Sequence, residues 1–155
     1  MRKFPIYLLI FNLFIIDCQK VEEQKEGITI KGTFSKQDVD FFVQFVKEME
    51  NAVAQKDIEK CLSFYSENFL NEKNLDKNKA RENTQYVFDN YTNIKYKMKN
   101  LVANVKNDKA VSVDEFEYSA YPIDKKLDKL EFKGKERIYW IKENNEWKIV
   151  NWVIE

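Results

Sequence analysis

Histidine does not occur anywhere in this chain of 155 residues. Its absence removes every mechanism built on an imidazole, from Ser-His-Asp triads to His-Asp dehydration. Cysteine occurs only twice, at Cys18 and Cys61, so neither a disulfide framework nor a zinc site is expected. Glycine and proline are scarce, at three and two, and no glycine-rich phosphate loop is present. An excess of one charge sign is also missing: 26 basic residues balance 26 acidic ones, and the signs alternate along the chain. Such a chain has no global field to hold nucleic acid, and no nucleic-acid partner is expected. No cofactor or metal is implied by any motif. What the chain does have is aromatic side chains: twelve Phe, eight Tyr and three Trp. With so little glycine and proline, they argue for a well-filled core. A domain of this size buries roughly two-thirds of its unfolded surface and needs no staple to fold.

Met1-Arg2-Lys3 is a short basic start, followed by FPIYLLIFNLFII at residues 4–16, apolar except for Asn12. As a helix that run would measure about 20 Å, too short for a hydrocarbon core of ~30 Å. A basic start before a short apolar stretch is the pattern of a secretory signal. The run closes on Cys18, which could be a packing residue, half of a disulfide or an anchor. The arrangement resembles a bacterial lipoprotein signal, in which the cysteine is lipidated and becomes the new N-terminus. Ile15 fits that pattern, while Asp17 stands where a small residue is usual. The resemblance implies a signal segment over 1–17, lipidation at Cys18, and a membrane partner in the bacterial cell envelope, on the periplasmic or surface side. The polar stretch QKVEEQKEG lacks apolar periodicity, so residues 18–34 are expected to be a flexible tether. The folded domain is then expected over 35–155.

Within that domain the spacing predicts three helices. In SKQDVDFFVQFVKEMENAVAQ, Phe42, Phe45, Val46, Met49 and Val53 recur at helical intervals, with Ser35 as N-cap and Asp38 in the first turn. Asp57 can cap a second helix, IEKCLSFYSENFL, with Cys61 on its apolar face as a small buried residue. Asp76 can cap a third, KNKARENTQYVFDNY. After Tyr91 the period changes to two. Ile94, Tyr96 and Met98 alternate with lysines, then the phase slips to Leu101, Ala103 and Val105, which reads as a β-bulge. A second slip is expected where Val111 and Val113 give way to Phe116, Tyr118 and Ala120. Four long strands in hairpin order after three helices make an α+β domain.

Three stretches carry a resemblance: the helical pair FVKEMENAVAQKDIEKCLSFYSENFL, the strand–turn–strand GKERIYWIKENNEWKIV, and the bulged pair between them. Together they are similar to the nuclear transport factor 2-like superfamily, particularly its SnoaL-like branch, over about residues 36–155. The resemblance implies three N-terminal helices packed on a strongly curved, bulged antiparallel sheet that leaves a conical cavity. It does not imply one function, because this fold hosts isomerases, dehydratases, binding domains and assembly modules.

On the penultimate strand, alternation from Leu130 through Trp140 points Glu136 inward. A carboxylate in an apolar cone has a raised pKa and could act as general acid or base. Asn151, between Ile149 and Val153, is its candidate polar partner. Tyr65, Tyr96 and Tyr118 are candidates to line the pocket, and Trp140 to line it or pack beside it. Asp114 and Glu115 sit at the second expected slip, where solvated acids are the simpler reading. No Tyr and Asp pair matches residue by residue the catalytic positions of the ketosteroid isomerase-like members. The leading expectation is a domain that binds a small apolar ligand or a protein partner without catalysis. The alternatives are an isomerase or lyase using Glu136, and a structural module that forms a homodimer through the open sheet face.

Overall fold

The computed structural model describes residues 22–155. The signal segment over 1–17 and the lipidation site at Cys18 lie outside the described residues. From Glu22 onward the expectation of a tether is corrected. Glu22–Lys25 and Ile28–Gly32 form strands β1 and β2, an antiparallel hairpin turning through Glu26 and Gly27. Ile28 and Ile30 are buried, Ile30 completely. Two isoleucines two residues apart put one apolar edge on the core, a signal hidden by the charged residues around them. The three helices therefore follow a hairpin among the described residues.

Helix α1, Lys36–Gln55, begins in a capping box. The Asp38 amide donates to Ser35 Oγ at 3.2 Å, and the Ser35 amide donates back to Asp38 Oδ2 at 2.7 Å. Lys56 takes a left-handed conformation, at φ 58°, and ends the helix. Asp57 at once caps α2, Ile58–Ser63. This second helix stops about two turns before the apolar pattern does. Phe64–Leu70 leaves it to run along the last strand, with the Ile149 amide donating to the Phe64 carbonyl at 2.7 Å and the Ser66 amide to the Ile149 carbonyl at 2.9 Å. Pairing with an otherwise open sheet edge outweighs helical propensity here. Helix α3, Lys77–Asn90, is capped by Asp76 and buries only Phe88.

Strands β3 (Tyr91–Lys106), β4 (Lys109–Pro122), β5 (Leu130–Glu143) and β6 (Glu146–Ile154) form an antiparallel meander. With β1 and β2 they make one six-stranded sheet in chain order. Because β2 pairs parallel with β3, the sheet is mixed and not wholly antiparallel. Its curvature comes from register shifts, each of which adds local twist and bend. On β3 one lies between Thr92 and Lys95 and another between Lys99 and Val102, where the sequence phase slips. Asn93 and Asn100 accept the positive φ angles at these points, 50° and 55°. A further shift on the β5–β6 ladder follows Tyr139.

Strand β4 corrects one expectation. It has no slip against β5, and Ala110, Ser112, Asp114, Phe116, Tyr118 and Ala120 all take the same face. Val111 and Val113 lie half-buried on the opposite face. The core sits between α1 and the sheet, where Trp140 receives Phe41, Phe42 and Phe45 edge-on, with ring centroids 4.7–5.7 Å away.

Candidate functional site

A cavity of about 260 Å³ opens between the sheet and the three helices. Helix α1 contributes Phe45, Met49 and Val53, α2 contributes Cys61 and Leu62, and α3 contributes Asn83, Thr84, Val87 and Phe88. The sheet supplies Tyr96, Tyr118, Glu136, Ile138, Ile149 and Trp152, and the segment paired with β6 supplies Tyr65. The lining is largely apolar and aromatic, with Asn83 and Thr84 as neutral polar members and one carboxylate in it. None of these side chains is cationic. Among the described residues no three His, Cys, Asp or Glu side chains gather to hold a metal ion.

Glu136 is completely buried. The Tyr96 hydroxyl donates to its Oε1, and the Trp152 indole N–H donates to its Oε2 at 2.9 Å. Directly across the β4–β5 ladder stands Asp114, 2% exposed, whose two carboxyl oxygens receive no hydrogen bond from any donor among the described residues. Two ionised carboxylates side by side in an apolar interior repel each other, with no cation to offset the cost. One proton relieves that clash, and Asp114, which has no donor of its own, is the group favoured to hold it. Burial pushes its carboxyl up to about 9, reinforced by the negative charge of Glu136. Burial also raises Glu136, but hydrogen bonds from Tyr96, Asp114 and Trp152 to its charged form oppose that. Of the two, Glu136, which accepts from Tyr96 and Trp152, is therefore the one that bears the negative charge when the pair holds a single proton.

The cavity tyrosines are held neutral. Burial and the nearby Glu136 charge raise both Tyr65 and Tyr96, and burial pushes Tyr118 up to about 12. Burial also takes the Cys61 thiol to about 11, which leaves it protonated and inert as a nucleophile.

Of the residues singled out from the sequence, Tyr65, Tyr96, Tyr118 and Glu136 come together on this cavity. Trp140 does not. It lies under α1 at 1% exposure, with its indole N–H bonded to Ser112 Oγ at 2.9 Å. Asn151 also stands apart. The register shift after Tyr139 pairs Trp140 with Ile149 and Ile138 with Trp152, so one residue of β6 is skipped and the inward phase passes to Trp152. Asn151 is paired with Tyr139, and its side-chain oxygen is buried without a donor. Sequence reasoning missed Trp152 as the indole donor and read Asp114 as solvated. The available signal was that Asp114 and Phe116 share a phase, which the two valines before them obscured.

The family model described as the Cds6 C-terminal NTF2-like domain matches residues 41–152. A comparison with curated proteins finds no match. Among solved structures the chain is similar to Bd1075 of Bdellovibrio bacteriovorus, at a TM-score of 0.65 and 22% identity over 81% of this chain and 45% of that one. The chain thus spans less than half of that protein's length. A nuclear transport factor 2-like protein from Salmonella enterica aligns at a TM-score of 0.64 and 14% identity, covering 78% of this chain and 92% of that one. A proposed scytalone dehydratase from Novosphingobium aromaticivorans aligns at 0.68 and 8% identity, covering 77% and 83%. At such identities these likenesses speak to the fold alone.

Proposed function

This chain belongs to the family of Cds6 C-terminal NTF2-like domains, and from that premise we propose that its cavity binds a small, largely apolar molecule without transforming it. The observation that carries this reading is the lining: mostly aromatic and aliphatic, with Asn83 and Thr84 as neutral polar members on α3 and Glu136 as its single charged group. At about 260 Å³ it falls just below the ~300–1,000 Å³ usual for small-molecule sites, so the ligand is smaller than a drug. A carboxylate offers roughly four acceptor positions. Tyr96 and Trp152 occupy two, which leaves acceptor capacity for the proton shared with Asp114 and for a donor on the ligand. A thermal-shift screen against small hydrophobic metabolites tests the reading, with Thr84→Trp placed to fill the cavity. Ligands should raise the melting temperature of the wild type and not of the variant; equal shifts in both would refute cavity binding.

A second reading, an isomerase or lyase with Glu136 as general base, is favoured by the complete burial of that carboxylate. The Tyr96 and Trp152 donors to its charged form weaken it as a base, which places this reading second. Incorporation of solvent deuterium beside the carbonyl of small cyclic ketones, abolished in Glu136→Gln, would promote it to first.

We also propose that the domain is exported and held in a bacterial envelope by lipid on Cys18. Support comes from the basic start, the short apolar run and its closing cysteine. Metabolic labelling with a palmitate analogue should mark the wild type and not Cys18→Ala; label on both would remove the proposal.

A further inference from the structure

The apolar cavity encloses a carboxylate for which no described residue supplies a positive partner. We propose that the ligand is a small organic amine, bound as its ammonium with one N–H directed at Glu136 and its apolar body against the aromatic wall. This inference rests on the binding reading above and adds the ligand's charge and donor.

Three observations converge on an ammonium. The first is the uncompensated charge. Lining residues include Glu136 but no Lys or Arg; of the two cations that flank it in sequence, Lys135 is exposed and Arg137 is paired with Glu155. A buried carboxylate ordinarily has a cation or coordinates one. Hydrogen bonds from Tyr96 and Trp152 spread its charge but do not neutralise it.

The second is the wall itself. Phe45, Tyr65, Phe88, Tyr96, Tyr118 and Trp152 are six aromatic side chains around one small volume. Aromatic rings are attracted to cations through their quadrupoles, most strongly where water is excluded. A carboxylate set among aromatic rings suits an ammonium with an apolar body; it repels a carboxylic acid and gains less from an alcohol.

The third is the neighbouring acid. The groups facing Glu136 are Tyr96 from β3, Asp114 from β4, Trp152 from β6 and Tyr65 from the segment after α2, with Cys61 beyond. Only Asp114 among them can release a proton near neutral pH, since burial holds the tyrosines and the thiol well above it. An ammonium beside the pair lowers the affinity of Asp114 for its proton. Amine binding is therefore accompanied by fractional proton release as the pH approaches about 9, the point to which Asp114 is raised.

The test uses matched probes on three skeletons, benzyl, cyclohexylmethyl and isopentyl, each as primary amine, alcohol and carboxylic acid. Isothermal titration calorimetry is run on the mature domain at neutral pH. The amines should bind about tenfold or more tighter than the matching alcohols, and the acids should not bind. In Glu136→Gln the amine preference should collapse to about that of the alcohol, and retained alcohol binding shows that the variant keeps its cavity. Thr84→Trp should reduce both, which places the probes in this cavity. Alcohols binding as tightly as amines in the wild type would overturn the amine inference and leave cavity binding standing. Failure of all nine probes would overturn both readings. The amine-to-alcohol ratio in the wild type decides the question even if Glu136→Gln does not fold.

Discussion

Burial and the neighbouring Glu136 favour a proton on Asp114 in the folded state, and this has a measurable cost. Its folded pKa of about 9 lies above the ordinary value of 3.8, so between those limits the folded protein retains a proton that the unfolded chain has lost. Unfolding releases that proton, and stability declines as pH rises through this window, by up to about 1.4 kcal/mol per pH unit. Asp114→Asn keeps a donor toward Glu136 but has nothing to titrate. Its urea midpoint should fall less steeply from pH 5 to about pH 9 than that of the wild type, with only the smaller contribution of Glu136 remaining. Parallel curves would show that Asp114 is ionised in the folded state. Tyr96→Phe removes a donor from a buried charge, with an expected loss of about 1.5–3 kcal/mol in the same assay. It should also steepen the pH dependence, because Glu136 loses a bond that favours its charged form.

At the level of elements, the N-terminal hairpin and the α1 cap hold the frame around the cavity. Ile30 is fully buried in β2, and Ile30→Ala should cost about 2–5 kcal/mol by chemical denaturation, as truncation of a buried aliphatic does. A loss under 1 kcal/mol, as for surface truncations, would mean that β2 is only loosely docked. Gly32 is a sharper probe: its φ is 96°, and an added Cβ would lie 2.2 Å from the Val105 carbonyl oxygen. Asp38 links α1 to the β5–β6 hairpin, accepting from Trp147 Nε1 at 2.9 Å and pairing with Lys142 at 2.7 Å. Asp38→Ala should cost about 2–4 kcal/mol, since it removes a cap and unpairs a buried indole N–H. The bonds to Asp38 outweigh its burial and hold its pKa below the usual value. Its contribution is therefore present above the unfolded pKa and fades as pH falls toward the folded one.

These elements also show what a sequence can and cannot reveal. The α1 cap and the β3 slip after Met98 were legible because each is written in neighbouring residues. The end of α2 was not, because the partner that pulls Phe64–Leu70 out of the helix is β6, about eighty residues on. Nor was the phase of β4, where Val111 and Val113 suggest one face while the ladder to β5 sets the other. Asn151 was placed inward by strict alternation, and a single skipped residue on β6 moved Trp152 there instead. The acid pair was thus half visible: Glu136 stood out, and its partner lay across a strand pairing that no local pattern records.

Across the whole molecule, the cavity is closed on one side by its least anchored helix. Of the fourteen residues of α3, Phe88 alone is buried, yet four of them line the cavity. Native-state hydrogen exchange should find α3 less protected than α1, and an occupied cavity should slow exchange in α3 more than in β4. Uniform slowing across the domain would argue that ligand binds elsewhere.

The hairpin, finally, sets a distance. Four chain steps lead from Cys18 to Glu22, and an extended chain spans at most about 3.6 Å per residue. A lipid on Cys18 would hold the first strand within about 14 Å of the bilayer surface, where a free leash out to residue 34 would have allowed nearly 60 Å. An anchored domain would then stand close to the headgroups instead of sweeping through the space above them, and the hairpin, more than a long stalk, would set how far its cavity lies from the bilayer.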